Sequence, residues 1–293
     1  MIEYETFQNV LKTANDKKKK LFEICELNEA ETAETSIVEI RKKVKKILSV
    51  MKDAVNKGLN SSEKSASKLC GDDCAKLVEK YKDGSFFFSP IYQKVLMYAL
   101  ATIEQNLRMG KIAACPTAGS CGIVPAVVIA ISESFNISEE KQIDALITAG
   151  LIGQIISDKL ALSGAVAGCQ SECGVASAMA SAALVEMKNG TNNQIVNAVA
   201  LTLKNIMGLT CDPVAGLVEI PCVKRNAFLA IQAITGAELA LAGIESKIPI
   251  DEIVDAMKQV GELMSPLLKE SSGAGLAATK TACKFQSILC ANV

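Results

Sequence analysis

The sequence contains no histidine, and aromatic residues make up only 4% of its 293 residues. Histidine is the commonest general base and a frequent metal ligand. Its absence leaves lysine, a carboxylate or a group from another chain as the proton acceptor of any reaction. A metal site in this chain would depend mainly on thiolates. Because aromatic residues and alternating β-branched runs are both scarce, we expect few strands.

The chain also lacks a strong charge of either sign, with a formal net charge of -1. This balance gives no electrostatic reason to expect nucleic acid or a membrane surface as a partner. The first residues, MIEYETFQNV, lack the basic start and apolar core of an export signal, so we expect a cytoplasmic protein. The longest uncharged stretch, 112–132, is interrupted by Pro116 and Pro125 and is not expected to span a membrane.

Cysteine, by contrast, is abundant, with 11 residues in the chain. In a reducing cytoplasm, a chain of this length is not expected to use them as a disulfide framework. Each thiol is therefore either a packing group in the core or a candidate ligand.

Helical spacing of apolar residues recurs throughout and predicts an all-α fold, a bundle of helices. An amphipathic surface helix is predicted over 36–58, and residues 59–88 are polar and rich in turn formers, which predicts a loop. We expect a single domain over 1–293, in which 1–88 form a polar helical collar and loop. Segments without a wide polar face, rich in alanine and glycine, are predicted as the buried central helices: 141–160, 173–188, 193–207 and 224–242.

Glycine-rich breaks interrupt these helices, and each is a place where backbone amides could face a ligand. They are CPTAGSCG at 115–122, SGAVAGCQSECG at 163–174, GLTCDPVAG at 208–216 and SSGAGLA at 271–277. The first is predicted to be a tight turn that opens a helix over 121–134. Thr117, Gly119 and Ser120 in this turn could hold a carboxylate or an amino acid, or the turn could serve only as a helix cap.

Two cysteines in the third break and just after it are predicted to lie near helix starts. Asp212 and Pro213 suit an N-cap and first helical position, and Pro221 suggests a turn into a helix that begins near VKRN. Helix starts favour anions, including thiolates. The spacing of Cys211 and Cys222 matches neither a ferredoxin run nor a CxxC zinc pair, so ligation and core burial both remain open.

Other groups near these breaks carry weaker signals. Cys169 and Cys173, at positions i and i+4, share one face if their segment is helical. The polar residues that adjoin the breaks are either pocket groups or simply exposed side chains: Lys111, Glu172, Glu219, Lys224, Arg225 and Asn226.

Taken together, four stretches resemble one family. They are GKIAACPTAGSCGIVPA, SGAVAGCQSECG, MGLTCDPVAGLVEIPCVKRN and KESSGAGLAATKT, in this order. The chain is similar over nearly its whole length to the alpha subunit of iron-sulfur-dependent L-serine dehydratase, an L-serine ammonia-lyase.

The resemblance implies an all-helical domain built around a [4Fe-4S] cluster, with no pyridoxal phosphate. The family's three ligands fall on Cys169, Cys211 and Cys222, which leaves one iron open. Family members usually have an apolar residue in place of Cys173, so we expect that this thiol is not a ligand. Single-chain relatives can end in a cysteine that folds back onto the cluster, which makes Cys283 and Cys290 candidates for a fourth ligand in the resting state.

The implied reaction is the deamination of L-serine to pyruvate and ammonia, a step in serine degradation that feeds gluconeogenesis. The open iron would take up the charge of the departing hydroxide, and exposure of this iron implies sensitivity to oxygen. Thr117, Gly119, Ser120 and Asn226 are the expected substrate-binding residues. The resemblance also implies a heterodimer, in which a beta subunit provides the base; Lys111 and Lys224 are the candidates within this chain.

Two other functions remain open. A cluster-dependent L-cysteine desulfidase would use the same ligands to eliminate sulfide from cysteine. A thiolate metal-binding or redox-sensing helical module would not be an enzyme. The glycine-lined surroundings of the cysteines argue against this module, because a structural zinc site needs no open coordination position.

Overall fold

The computed structural model of the chain describes residues 6–84 and 87–291. The first five residues of MIEYETFQNV and the ends of the predicted domain therefore lie outside the described residues. Within these ranges the structure has α-helices, short 3₁₀ turns and one isolated β-bridge but no named strand, which confirms the predicted all-α fold. The helices are α1 Phe7–Asp16, α2 Leu21–Thr32, α3 Ile37–Leu59, α4 Asp73–Tyr81, α5 Pro90–Leu107, α6 Ile123–Phe135, α7 Glu139–Ser157, α8 Gly164–Ala167, α9 Cys169–Met187, α10 Asn192–Lys204, α11 Cys222–Leu241, α12 Ile250–Leu263 and α13 Lys280–Cys290.

Helix α9 is the centre of the bundle. It packs against α6, α7, α10 and α11, and every one of its residues except Glu172 is buried. Its many alanine, serine and glycine residues allow neighbouring helices to approach closely, as at Gly174, where an added Cβ would lie 3.1 Å from Ile206. The buried alanine- and glycine-rich core predicted from the sequence is therefore present.

The predicted central helices correspond to α7, α9, α10 and α11, and the predicted helix over 121–134 corresponds to α6. Local capping residues account for two of the starts. Ser138 accepts a hydrogen bond from the Lys141 amide at the start of α7, and Thr191 forms a capping box with Gln194 at the start of α10. The amphipathic helix predicted over 36–58 is α3.

The prediction of a loop over 59–88 is wrong for its central part, which forms α4. Leu77 and Val78 on α4 pack against the core, and Cys74 is fully buried. The start of this helix is stabilised by a distant residue: the buried Glu104 on α5 accepts hydrogen bonds from the amides of Asp73 (2.7 Å) and Cys74 (3.4 Å). Because this carboxylate lies about 30 positions away in the chain, no local pattern reveals it.

Among the described residues, no helix is both long enough and apolar enough to cross a membrane. The uncharged stretch 112–132 is instead divided between an irregular turn and the first part of α6. The turn before α6 lies beside the first residues of α9 and α11, and this junction holds the candidate site.

Candidate active site

Cys169 and Cys222 are each the first residue of a helix. Cys169 opens α9 after Gly168, whose φ of 80° turns the chain out of α8, and Cys222 opens α11 after Pro221. Both thiols are buried, with exposed fractions of 1% and 5%. Free amides and the positive dipole end of each helix therefore surround these positions, which favours a thiolate. The predicted helix start near Cys222 is confirmed, whereas α9 begins earlier than the segment 173–188 predicted from the sequence.

Cys211 lies in extended chain between α10 and α11. It forms the only β-bridge of the described ranges, with Lys269: the Cys211 amide donates to the Leu268 carbonyl (2.8 Å), and the Glu270 amide donates to the Cys211 carbonyl (2.6 Å). The residues just before SSGAGLA, which lie far from Cys211 in the sequence, thus fix its backbone. The thiol itself is 2% exposed.

The prediction that Asp212 and Pro213 begin a helix is wrong. Only a three-residue 3₁₀ turn, Val214–Gly216, follows them. The carboxylate of Asp212 instead accepts a hydrogen bond from the Leu276 amide (2.8 Å) and forms an ion pair with Arg225 (2.9 Å). Long-range partners therefore replace the local cap, and no helix dipole acts on Cys211 from this side.

Arg225 connects the three cysteine segments. It lies on the first turn of α11, three residues after Cys222, and donates hydrogen bonds to the Thr210 carbonyl (2.9 Å) and to Asp212 (2.9 Å). Its guanidinium also interacts with the thiol of Cys169. A fixed cation therefore lies where thiolates converge, and it offsets part of the charge that a thiolate-bound metal group would carry.

The structure brings two of the predicted ligands together with a carboxylate. The Sγ atoms of Cys169 and Cys211 and a carboxylate oxygen of Glu172 all lie within 4.8 Å of one another. The thiol of Cys222 interacts electrostatically with Cys169, and burial is the main reason that its pKa is raised to about 12. The Sγ atom of Cys173 lies 3.7 Å from that of Cys169.

The pKa values of the thiols are shifted in opposite directions. Hydrogen bonds from Cys173 and Cys211, together with the nearby Arg225, lower the pKa of Cys169, and the same contact with Cys169 raises the pKa of Cys211. Cys169 is therefore the thiol that ionises first. Burial raises the pKa of Glu172 to about 7, although its hydrogen bond from Thr117 opposes this shift.

The turn before α6 forms one wall of the site. Thr117 Oγ1 donates to Glu172 Oε1 (2.6 Å) and lies 3.0 Å from Ser120 Oγ. Asn226 joins this turn to the ligand helix, because its side-chain amide donates to the carbonyls of Gly119 (2.8 Å) and Cys222 (3.0 Å). The structure thus collects all the predicted substrate-binding residues on one side of the cysteines. Their contact with a substrate stays a prediction.

Two glycines allow these groups to approach the backbone closely, because a side chain at either position would clash with them. A Cβ added to Gly164 would lie 2.8 Å from Cys211 Sγ and 2.9 Å from Glu172 Oε2. A Cβ added to Gly119 would lie 2.6 Å from Glu172 Oε1. The site combines buried thiols, two helix starts, a fixed guanidinium and glycines that allow close approach. This combination suits a thiolate-bound metal group.

We expect Gly164→Ala to lower the affinity of the site for its metal about 10- to 100-fold, because the new methyl group would press on a ligand and on its neighbouring carboxylate. Metal analysis of the purified variant checks this, with circular dichroism to confirm the helical fold. Gly150→Ala on α7 is the matched control, since no atom lies within 4 Å of the added Cβ. Equal metal content in both variants would show that metal binding does not require a glycine at position 164.

The remaining candidates lie elsewhere. Lys111 is exposed in the chain between α5 and α6. Lys224 forms an ion pair with Asp73 and lies 3.8 Å from Cys70 Sγ. Burial lowers the pKa of Lys224, but the contacts with Asp73 and Cys70 together outweigh this effect and the pKa is raised. Cys283 and Cys290 are exposed on α13. Their proposed roles as bases or as a fourth ligand stay predictions.

Sequence reasoning left two residues of the site without a role. The sequence did not distinguish Glu172 from Glu219 as a pocket residue. In the structure Glu219 instead accepts hydrogen bonds from Ser65 (2.8 Å) and Ser67 (2.7 Å) in the loop before α4. Arg225 could equally have been exposed. One signal in the sequence could have distinguished Glu172: it is the only charged residue among the first 17 of the otherwise apolar and small-residue helix α9.

The chain is similar to known proteins over most of its length. The family model described as serine dehydratase alpha chain matches residues 16–277. A probable L-serine dehydratase alpha chain from Bacillus subtilis (strain 168) is 43% identical over 278 residues, which cover 95% of this chain and 92% of the relative.

Two further relatives differ in length. An L-serine dehydratase alpha chain from Peptoniphilus asaccharolyticus is 40% identical over 281 residues, with 96% of both chains covered. An L-serine dehydratase from Helicobacter pylori (strain ATCC 700392 / 26695) is 34% identical over 279 residues, which cover 89% of this chain but only 61% of the relative. The longer relative therefore contains a large region that has no counterpart in the match.

Proposed function

The chain belongs to the serine dehydratase alpha chain family, and on that premise we propose that it catalyses the deamination of L-serine to pyruvate and ammonia. The observation that carries this proposal is the meeting of Cys169 and Cys211 beside the turn that contains Thr117 and Ser120. A group of thiols suited to a metal thus lies next to polar groups suited to an amino acid. We further propose that Cys169, Cys211 and Cys222 hold a [4Fe-4S] cluster.

When bound through three thiolates, such a cluster supplies an iron with an open coordination position, a Lewis acid that stabilises the departing hydroxide. The chain's own part is to hold the thiols and the substrate in place. Arg225 fixes the Cys211 segment against the start of α11 through Thr210 and Asp212. Asn226 fixes the turn before α6 against Cys222.

The same turn is proposed to bind the carboxylate of serine. Ser120 supplies a hydroxyl donor, while Thr117 and Gly119 line the turn: the Thr117 hydroxyl is directed to Glu172, and Gly119 presents its backbone without a side chain. Holding the carboxylate there would orient the hydroxyl toward the cysteines, so that proximity and orientation contribute to the rate. Ser120 is fully buried, which keeps bulk water away from that end of the substrate.

The α-proton of serine needs a base, and this chain has no histidine. Lys224 is engaged with Asp73, and Lys111 is exposed. We therefore propose that a separate beta subunit completes the site. The extra length of the Helicobacter pylori relative supports this proposal, because one chain there could contain both parts.

The test is to purify the chain anaerobically, alone and with its beta subunit, and to measure iron, sulfide and pyruvate formed from L-serine. We expect iron and sulfide in equal amounts and rapid pyruvate formation only with both chains. Zinc without iron would contradict the cluster. Faster release of sulfide from L-cysteine than of pyruvate from L-serine would favour a desulfidase, and full activity of the chain alone would exclude a base from the partner.

A further inference from the structure

Glu172 is the exception in a helix that is otherwise completely buried. It lies on the first turn of α9, three residues after Cys169, and its side chain faces the turn before α6 and not the bundle core. A carboxylate is costly to bury without partners. Glu172 is half-buried in a helix whose other residues are all buried, so we expect it to bind a polar group.

Only one of its two carboxylate oxygens has a partner in the described residues. Oε1 accepts the hydrogen bond from Thr117 (2.6 Å). Oε2 takes no hydrogen bond from any described residue, and it lies close to Gly164, where an added Cβ would be 2.9 Å from Oε2 and 2.8 Å from Cys211 Sγ. The Thr117 contact fixes the direction of the carboxylate, and Oε2 is left without a donor close to the thiol of Cys211.

An α-amino acid brings three polar groups to its site: a carboxylate, a side chain and an ammonium group. Under the proposed function, on which this inference rests, the turn before α6 takes the carboxylate and the cysteine site takes the hydroxyl. The ammonium group needs an anionic acceptor. Glu172 is the carboxylate that lies both against that turn and within 4.8 Å of the thiols of Cys169 and Cys211.

We propose that Glu172 receives the ammonium group of the substrate through Oε2 and so selects α-amino acids over hydroxy acids that lack the amine. Arg225 donates its hydrogen bonds to Asp212 and the Thr210 carbonyl and makes none to Glu172 in the described residues, although its charge opposes the rise that burial causes in the pKa of Glu172. Three attachment points fix the configuration at the α-carbon, which places the α-proton in one direction only. Glu172 is thus a specificity-determining residue of the site.

The experiment compares L-serine with 3-hydroxypropionate, which has the same carboxylate and hydroxyl but no amine. Affinities are measured on the reconstituted holoenzyme, as KM for L-serine and as the inhibition constant of 3-hydroxypropionate. Freeze-quenched Mössbauer spectra record independently how each ligand perturbs the iron. We expect the preference for L-serine to fall about 10- to 100-fold in Glu172→Gln, because a neutral amide cannot pair with an ammonium group. The affinity for 3-hydroxypropionate should stay within a few-fold of the unmodified enzyme.

Ser120→Ala is the matched control, since Ser120 is proposed to bind the carboxylate that both ligands share and makes no hydrogen bond to Glu172 in the described residues. It should weaken both ligands alike and leave their ratio unchanged. Equal weakening of both ligands by Glu172→Gln would overturn the proposal, because it would show that the residue only supports the turn. A changed Mössbauer spectrum of ligand-free Glu172→Gln would also overturn it, in favour of a carboxylate ligand to iron.

Glu172→Asp provides a second test if the glutamine variant does not load iron. It keeps the charge but withdraws the carboxylate by one methylene, so the preference for L-serine should decrease while the affinity for 3-hydroxypropionate stays within a few-fold of the unmodified enzyme. An unchanged preference in Glu172→Asp would contradict the proposal. Failure of this inference is distinct from failure of the proposed function, because the latter would appear as an unmodified enzyme that forms no pyruvate from L-serine.

Discussion

Cys211→Ser is expected to prevent assembly of an intact cluster and to lower the rate of pyruvate formation from L-serine by at least about 10³-fold. The estimate follows from the several kcal/mol by which a Lewis-acidic metal stabilises developing charge, at about 1.4 kcal/mol for each factor of ten. The side chain lies within 4.8 Å of Cys169 Sγ, and its backbone is fixed by Leu268 and Glu270. A serine hydroxyl would keep this position but not the thiolate. Iron and sulfide analysis and the pyruvate assay measure the two effects.

Cys173→Ser is the control for this variant. Its thiol is equally buried and lies 3.7 Å from Cys169 Sγ, but we predict that it does not ligate. Iron content and activity should therefore remain close to those of the unmodified protein. If Cys173→Ser lost its iron while Cys211→Ser kept it, the ligand assignment would have to be exchanged between these two thiols.

Arg225→Ala is expected to lower the free energy of unfolding by about 3–5 kcal/mol, the usual effect of removing one partner from a buried ion pair. The side chains of Arg225 and Asp212 are 15% and 6% exposed, so solvent cannot replace the lost guanidinium. The Asp212 carboxylate would keep only the Leu276 amide as a partner. Urea unfolding of the anaerobic, reduced chain, followed by circular dichroism, measures the change.

Arg225→Lys separates the charge of this residue from its geometry. A lysine keeps the cation but cannot reach Thr210 and Asp212 with a planar fork, so a smaller loss of stability is expected. A double-mutant cycle with Asp212→Asn isolates the energy of the pair itself. A change below about 1 kcal/mol in Arg225→Ala, the range of a surface ion pair, would contradict the role given to this residue.

The helical architecture was predictable because it follows from local periodicity and capping. Ser138 and Thr191 cap the helices that follow them, and alanine-rich segments without a polar face became the core. Helix α4 was missed because its start is stabilised by Glu104 from another helix. Patterns within a window of the sequence do not contain this contact.

The site was only partly predictable for the same reason. Pro221 correctly indicated the helix start at Cys222, whereas Asp212 and Pro213 indicated a helix that does not form. Asp212 is bound instead to Arg225 and to the amide of Leu276, 64 positions away. The contact of Glu172 with Thr117 spans 55 positions. Only the folded chain reveals which of several ambiguous polar residues share a site.

We propose that three thiolates of this chain hold a four-iron cluster with one iron open to the substrate. Mössbauer spectroscopy of the anaerobic ⁵⁷Fe-loaded enzyme, with and without L-serine, tests it most directly. We expect that one iron in four has distinct parameters and that its signal alone shifts when L-serine is added. Four equivalent irons whose spectrum is unchanged by L-serine would contradict it.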